Sequence, residues 1–149
     1  MRKYWIIIAL FALSACKTPG QKWLDGLAAY QEVRSRSMTL EIMKMADKND
    51  TVVLNYKVRI YPAKQWLANR PAGAVNDLNY RMDSCFAVRA GSVKQPAVFV
   101  QPVANGVKDC FEYLVSFEMG NAMKMKTLQL VYTDKYIDGH TYFLDLNKR

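Results

Sequence analysis

The sequence predicts an all-β protein, an antiparallel β-sandwich of about seven strands with a short N-terminal helix. Two observations predict this fold class. Short segments of alternating apolar and polar residues recur along most of the chain, as in strands that bury one face. Gly, Pro, Asn and Asp residues separate these segments, and no helical pattern is long enough to provide the crossovers that parallel strands need.

The first elements are a helix and a hairpin. The helix is predicted over residues 22–33, where apolar residues recur at spacings of three and four. Strands are predicted over 38–43 and 51–61, with the turn residues 47–50 between them. Methionines and charges in the first of these strands suit it to the edge of a sheet. The second strand has a predicted buried face made of Val52, Leu54, Tyr56, Val58 and Ile60.

The rest of the chain begins with a long connection over residues 62–74, which contains two prolines and a glycine and is predicted to hold one helical turn. Trp66 and Leu67 lie in this connection and are the candidate partner-binding residues. The alternative for Trp66 is that it packs into the core. Further strands are predicted over 80–89, 97–101, 109–119, 127–133 and 141–146, each bounded by turn residues.

The composition is that of one basic domain. The chain has 149 residues, with 21 Lys and Arg against 13 Asp and Glu, and a formal net charge of +8. The basic residues are scattered through the chain without forming a block. This distribution favours a solvated surface near anionic lipid, glycan or an acidic partner, and we expect no nucleic-acid partner.

Residues with catalytic or metal-binding chemistry are few. His140 is the one histidine, it follows Asp138 and Gly139 in a predicted turn, and the chain has no Gly-x-Ser-x-Gly motif. We therefore expect His140 to be a solvated surface residue and the protein not to be an enzyme. The methionines at 119, 123 and 125 could bind Cu(I), but without a nearby histidine or cysteine they are better explained as core filler. We expect no metal and no cofactor.

The first sixteen residues follow the order of an export signal. Arg2 and Lys3 come first, residues 4–13 are apolar, and the stretch ends in Leu13-Ser14-Ala15-Cys16. This leader resembles the lipobox of bacterial lipoproteins. A transmembrane helix is the weaker alternative, because the apolar run rises only about 15 Å as a helix, roughly half of a hydrocarbon core.

The resemblance implies how the chain is divided and where it is located. Residues 1–15 are a signal peptide that is removed, Cys16 is lipidated, 16–21 is a spacer, and 22–149 is a single sandwich domain. Lys17 follows the cysteine where lipoproteins retained at the inner membrane carry Asp, which implies an outer-membrane anchor. The next residues, Thr18-Pro19-Gly20, lack the acidic residues of surface-exported lipoproteins, which favours the periplasmic face.

Two cysteines remain once Cys16 is assigned to lipid. Export would place Cys85 and Cys110 in an oxidising compartment, so a structural disulfide between them is predicted. The alternative is a redox or metal-binding pair, but the Cys-x-x-Cys spacing of such pairs is absent.

Two functions from different classes fit the sequence. The first is a non-catalytic lipid-anchored envelope protein, an outer-membrane-tethered structural or accessory subunit that binds another envelope protein through a strand edge or through residues 62–74. Its small size, all-strand pattern and Val58-Arg59-Ile60-Tyr61 before a long loop are similar to the sandwich lipoproteins of type VI secretion membrane complexes. That resemblance implies that it anchors a trans-envelope complex by binding the periplasmic domain of an inner-membrane partner. The second function is a lipoprotein module that binds a glycan, a peptide or a metal.

Overall fold

The computed structural model describes residues 27–46, 53–120 and 127–147. These residues form two antiparallel sheets, which confirms the predicted all-β sandwich. They contain nine strands, two more than the predicted number. Within the described ranges, no helix has both the length and the apolar composition needed to cross a bilayer.

The elements follow one another along the chain with two short helices after the third strand. In chain order they are β1 (Tyr30–Arg34), β2 (Met38–Lys44), β3 (Val53–Pro62), α1 (Lys64–Asn69), α2 (Ala74–Tyr80), β4 (Phe86–Ala90), β5 (Val93–Pro96), β6 (Phe99–Val103), β7 (Phe111–Glu118), β8 (Leu128–Thr133) and β9 (Thr141–Asp145). The larger sheet has the order β1-β2-β3-β7-β6 and the smaller sheet the order β5-β4-β8-β9.

Strand β3 confirms the alternation predicted for it. Leu54, Tyr56, Val58 and Ile60 are each 0% exposed, whereas the residues between them are half-buried. The hairpin with β2 is also confirmed, with Ile60 opposite Leu40. The prediction that β2 is an edge strand is wrong, because β1 pairs with its other side. Val52 lies outside the described residues.

The predicted helix over residues 22–33 is wrong in the part that is described. Residues 22–26 lie outside the described ranges, Leu27 forms a bridge with Asn147, and Tyr30–Arg34 is strand β1. Val33 faces the core opposite Leu40. Short apolar spacings of this kind fit both periods, and the available edge of β2 decides between them because it supplies backbone hydrogen-bond partners.

Two other segments differ from the prediction. The strand predicted over residues 80–89 is only Phe86–Ala90, because Tyr80 ends α2. No element was predicted over residues 75–79, which form the body of α2. Strand β5 was not predicted, because Val93–Pro96 is short and mostly exposed and so lacks an apolar face.

Backbone hydrogen bonds join the two sheets along both sides of the sandwich. On one side, the Ala28 amide donates to the Leu146 carbonyl oxygen at 2.8 Å. On the other side, the chain passes from β5 in one sheet to β6 in the other. There the Ala97 amide donates to Phe86 at 3.1 Å, and the Val98 amide donates to Ser116 at 2.9 Å. A chain that passes from one sheet to the other in this way closes the corner of a sandwich.

Aromatic side chains join the two sheets and α2. Phe86 of the smaller sheet stacks on Tyr132 with ring centroids 5.2 Å apart and contacts Tyr113 of the larger sheet at 5.8 Å. The Tyr113 hydroxyl donates to the Leu78 carbonyl oxygen of α2 at 2.5 Å. Because Leu78 is itself fully buried, this bond fixes α2 over the core.

The buried tyrosines give a first prediction. The Tyr56 hydroxyl is buried without a hydrogen-bond partner among the described residues, whereas the Tyr113 hydroxyl has one. Tyr56→Phe should therefore leave the free energy of unfolding unchanged or raise it by about 1 kcal/mol, because an unpaired polar atom is removed. Tyr113→Phe should lower it by about 1.5 kcal/mol, because the Leu78 carbonyl loses its donor. Urea unfolding of both variants checks this, and equal losses would contradict it.

The predicted disulfide is wrong: Cys85 and Cys110 are free thiols. Cys85 precedes β4 and is 2% exposed, whereas Cys110 precedes β7 in the other sheet and is half-buried. The Cys110 Sγ accepts a hydrogen bond from Asn105 Nδ2 at 3.3 Å. An oxidising compartment and an even number of remaining cysteines suggest a disulfide, but they do not show that the two sulfurs lie within bonding distance. Burial raises the pKa of Cys85 to about 11, which disfavours its reactive thiolate.

Candidate partner-binding groove

Both helices lie at one end of the sandwich, which we call the helical end. Strand β3 ends there at Pro62, directly before α1. Because β3 is antiparallel to β2 and β7, those strands begin at the same end. The turn at residues 35–37 and the loop at residues 134–140 lie there too, since the Tyr142 hydroxyl is 3.1 Å from the Ser35 Oγ. Leu27 pairs with Asn147 at the opposite end.

A groove of about 360 Å³ opens at the helical end, and we call it the Trp66 groove. Its lining comes from three places: the turn between β1 and β2, the start and body of α1, and the loop between β8 and β9. The lining residues are Arg36, Ser37, Ala63, Gln65, Trp66, Asn69 and Ile137. Its volume falls within the range of about 300–1,000 Å³ that is typical of ligand pockets.

The structure places the two candidate residues differently. Trp66 is half-buried, packs against the hydrophobic core and lines the groove, so its packing against the core is confirmed and its binding of a partner stays a prediction. Gln65 and Asn69 line the groove beside it because positions 65, 66 and 69 share one side of a helix. Leu67 is half-buried and does not line the groove; its amide donates to the Ala63 carbonyl oxygen at 3.0 Å.

One buried carboxylate fixes the loop that carries Ile137. Asp134 is 2% exposed and accepts backbone hydrogen bonds from residues 136–139, at 2.5 to 3.3 Å. The Tyr132 hydroxyl also donates to it, at 2.8 Å. Because a single carboxylate accepts four consecutive amides, the loop is held as a rigid turn and Ile137 has a defined position in the groove.

A second carboxylate joins this loop to the opposite wall of the groove. The Asp138 carboxylate accepts hydrogen bonds from the Tyr142 hydroxyl, the His140 amide and the Ser37 hydroxyl. Burial raises the pKa of Asp138, but these three hydrogen bonds outweigh it, and the pKa lies below its ordinary value. Asp138 is therefore an anion whose charge is largely compensated by its donors.

A second groove lies at the helical end on the side of β6 and β7. It has a volume of about 390 Å³ and is bordered by Tyr80, which is 75% exposed, and by Cys110. Glu112 also lines it, but this carboxylate is buried and paired with Arg59 at 2.5 Å. We call this the Tyr80 groove. It offers an exposed aromatic ring and a half-buried thiol.

The structure places two of the other candidate residues, His140 and Met119. His140 is exposed on the loop, as predicted, with its Nδ1 3.4 Å from Asp138 Oδ1. Met119 is part of the core, whereas Met123 and Met125 lie outside the described residues. In residues 27–46, 53–120 and 127–147, no three His, Cys, Asp or Glu side chains are grouped so that they could hold a metal ion. Cys16, the proposed lipidation site, also lies outside these ranges.

Three lining residues of the Trp66 groove lie outside the connection over 62–74 that was predicted to bind a partner: Arg36, Ser37 and Ile137. A signal for two of them was present, since Ser35-Arg36-Ser37 lies between the predicted helix over 22–33 and the predicted strand over 38–43, and Ser35 Oγ accepts the Met38 amide at 3.1 Å. Ile137 carried no such signal, because only the folded loop brings it beside Trp66. No protein-family model, curated protein or solved structure matches the chain, so function has to be inferred from this geometry.

Proposed function

We propose that this protein is a non-catalytic lipid-anchored envelope protein, tethered to the outer membrane through Cys16 and acting as a structural or accessory subunit of a multiprotein envelope complex. One observation carries the proposal. The Trp66 groove lies at the end of the sandwich opposite Leu27, where the chain from the lipidation site reaches the domain. The partner-binding surface would then face away from the membrane.

The position of Leu27 supports this orientation. Its carbonyl oxygen accepts a hydrogen bond from Lys44 Nζ at 3.4 Å, and the following amide, that of Ala28, bonds to Leu146 at 2.8 Å. The chain is therefore fixed to the sandwich at this point. Strand β3, which is 10 residues long, spans about 30 Å between the two ends. A lipid at Cys16 thus leaves the helical end free to meet a partner in the periplasm.

The positions of the buried carboxylates support a non-catalytic role. Glu112 is held by Arg59 at 2.5 Å, with Lys57 at 3.7 Å. Asp134 is occupied by four backbone amides and the Tyr132 hydroxyl. Both carboxylates are engaged by donors of the fold, whereas a general acid and base would need a pair of carboxylates facing a bound substrate.

The specific role that we propose is that of the sandwich lipoprotein in a type VI secretion membrane complex. The sequence similarity stated above motivates it, and the small antiparallel sandwich is compatible with it. In this role the protein would anchor the trans-envelope complex at the outer membrane by binding the periplasmic domain of an inner-membrane partner through the Trp66 groove.

The second candidate function is a lipoprotein module that binds a glycan, a peptide or a metal for uptake or sensing. The Tyr80 groove favours it, because an exposed aromatic ring at the rim of a pocket suits a small ligand. A saturable small ligand bound by the purified monomer, with no protein partner after crosslinking in the envelope, would support this alternative and contradict the subunit role.

The anchor is tested with two matched cysteine variants. Cys16→Ser should abolish labelling by radioactive palmitate and leave an unprocessed precursor, because the acylated thiol is gone. Cys110→Ser removes a half-buried thiol elsewhere and should keep both the label and outer-membrane fractionation. Labelling and sucrose-gradient fractionation of the native host measure both. A palmitate-labelled, processed Cys16→Ser protein would falsify the anchor.

A further inference from the structure

Exposed basic side chains dominate the helical end. They are Arg36, Lys64, Arg70, Arg81, Lys108 and Lys135. Arg81 is paired with Asp77 at 3.4 Å, and Lys135 donates to Ser84 Oγ at 2.7 Å. Within the described ranges no ion pair engages Arg36, which lines the Trp66 groove.

The acidic residues of this end do not neutralise the groove. Asp134 and Glu112 are buried and already paired with donors inside the fold. Asp138 has only 10% of its side chain exposed and accepts three hydrogen bonds. The exposed acids Asp83 and Asp109 are not among the groove's lining residues. The groove therefore combines the Arg36 guanidinium, which forms no ion pair with the residues that the structure describes, with a positive surrounding surface.

The other side chains that line the groove are partly apolar and partly polar. Trp66, Ala63 and Ile137 form its apolar part, whereas Ser37, Gln65 and Asn69 add polar atoms. A peptide offers the matching chemistry, because it carries backbone donors and acceptors, an apolar side chain for Trp66 and a carboxylate for Arg36.

We propose that the Trp66 groove binds an acidic peptide segment that places an apolar side chain against Trp66 and a carboxylate on Arg36. This inference rests on the proposed function, since the segment belongs to the envelope partner, and it defines the chemistry of that partner. Arg36 provides charge complementarity and a bidentate hydrogen-bonding group, and Trp66 provides the aromatic anchor.

The test uses the full acylated chain in its native host, with the photocrosslinking residue p-benzoylphenylalanine in place of Gln65. Irradiation followed by mass spectrometry identifies the crosslinked segment. We expect a peptide in which Asp and Glu outnumber Lys and Arg and which includes an apolar residue. In the same background, Arg36→Glu should reduce the crosslink about tenfold or more, which corresponds to about 1.4 kcal/mol. Lys108→Glu makes the same charge change outside the groove and should change the yield less than twofold.

Each outcome decides one of the two proposals. A crosslinked segment without excess acid, or a yield that Arg36→Glu leaves unchanged, overturns the acidic-segment inference and leaves the subunit role standing. If Gln65 captures no protein while the same probe at Gln101, on edge strand β6, captures one, then the groove is not the docking site and the inference fails. If neither probe captures a protein, the subunit role itself is contradicted. Circular dichroism of Arg36→Glu confirms that the variant is folded.

Discussion

Replacing Asp134 with alanine is expected to lower the free energy of unfolding by about 3–5 kcal/mol, a large part of the stability of a small domain. Asp134 accepts four backbone amides and the Tyr132 hydroxyl, and it is 2% exposed. Removing the carboxylate leaves five donors without their acceptor. Some of the backbone amides can donate to water in the loop instead. The Tyr132 hydroxyl is enclosed in the core, so the hydrogen bond that it loses is not replaced.

Two matched variants show whether the carboxylate itself is responsible. Asp134→Asn keeps one acceptor oxygen and should lose roughly half as much stability, because its new amide group meets other donors. Asp83→Ala removes an exposed carboxylate two residues before Cys85 and should change stability by less than about 0.5 kcal/mol. Urea unfolding of the three variants measures these differences. Similar losses for Asp134→Ala and Asp83→Ala would contradict the role assigned to this loop.

The strands with clear alternation were predictable, whereas β1 and β5 were not. In β3, apolar residues at every second position meet a buried face, so local pattern and global packing agree. In β1, the same few apolar residues fit a helix or a strand, and the choice is made by pairing with the edge of β2, which the periodicity of β1 itself does not reveal. In α2, the buried contact of Leu78 with the Tyr113 hydroxyl selects a helix that no strong periodicity indicated.

The candidate site was predictable to a smaller extent. Trp66 stood out because a large aromatic residue in a loop has to be buried or bound. The other walls of its groove come from a turn near residue 36 and a loop near residue 137, which the fold brings beside α1. The cysteines show the same limit, since counting nominated Cys85 and Cys110 as partners but the two thiols belong to segments that precede different sheets.

The second large effect is expected at Arg59, which faces Glu112 across β3 and β7. Glu112 is 4% exposed and lies 2.5 Å from Arg59 Nε, with Lys57 at 3.7 Å. Arg59→Met removes the closest counter-charge of a buried carboxylate and should cost about 2–3 kcal/mol at pH 7. Arg34→Met is the matched control, because Arg34 pairs with Glu32 but is 77% exposed, and it should leave the free energy of unfolding almost unchanged.

The pH dependence separates this electrostatic effect from a loss of packing. Burial raises the pKa of Glu112, but the hydrogen bonds and charges of Arg59, Asn105 and Lys57 outweigh it, so the pKa lies below its ordinary value in the native protein. The wild-type pair therefore stabilises the fold above the ordinary glutamate pKa, and this stability is lost as the pH falls through the lowered one.

In Arg59→Met the two contributions of Arg59 that lower the pKa of Glu112 are gone, so we expect this pKa to be higher than in the wild type. The variant therefore lacks the stability that the wild type gains as the pH rises above the lowered pKa of Glu112. The loss caused by Arg59→Met should thus be largest at pH 7 and shrink toward pH 4, as measured by urea unfolding across this range. Adding Glu112→Gln removes the titrating group, so the double variant should lose this pH dependence. A loss of the same size at every pH would mean that Arg59 acts through packing of its aliphatic stem, and the charge pairing would be refuted.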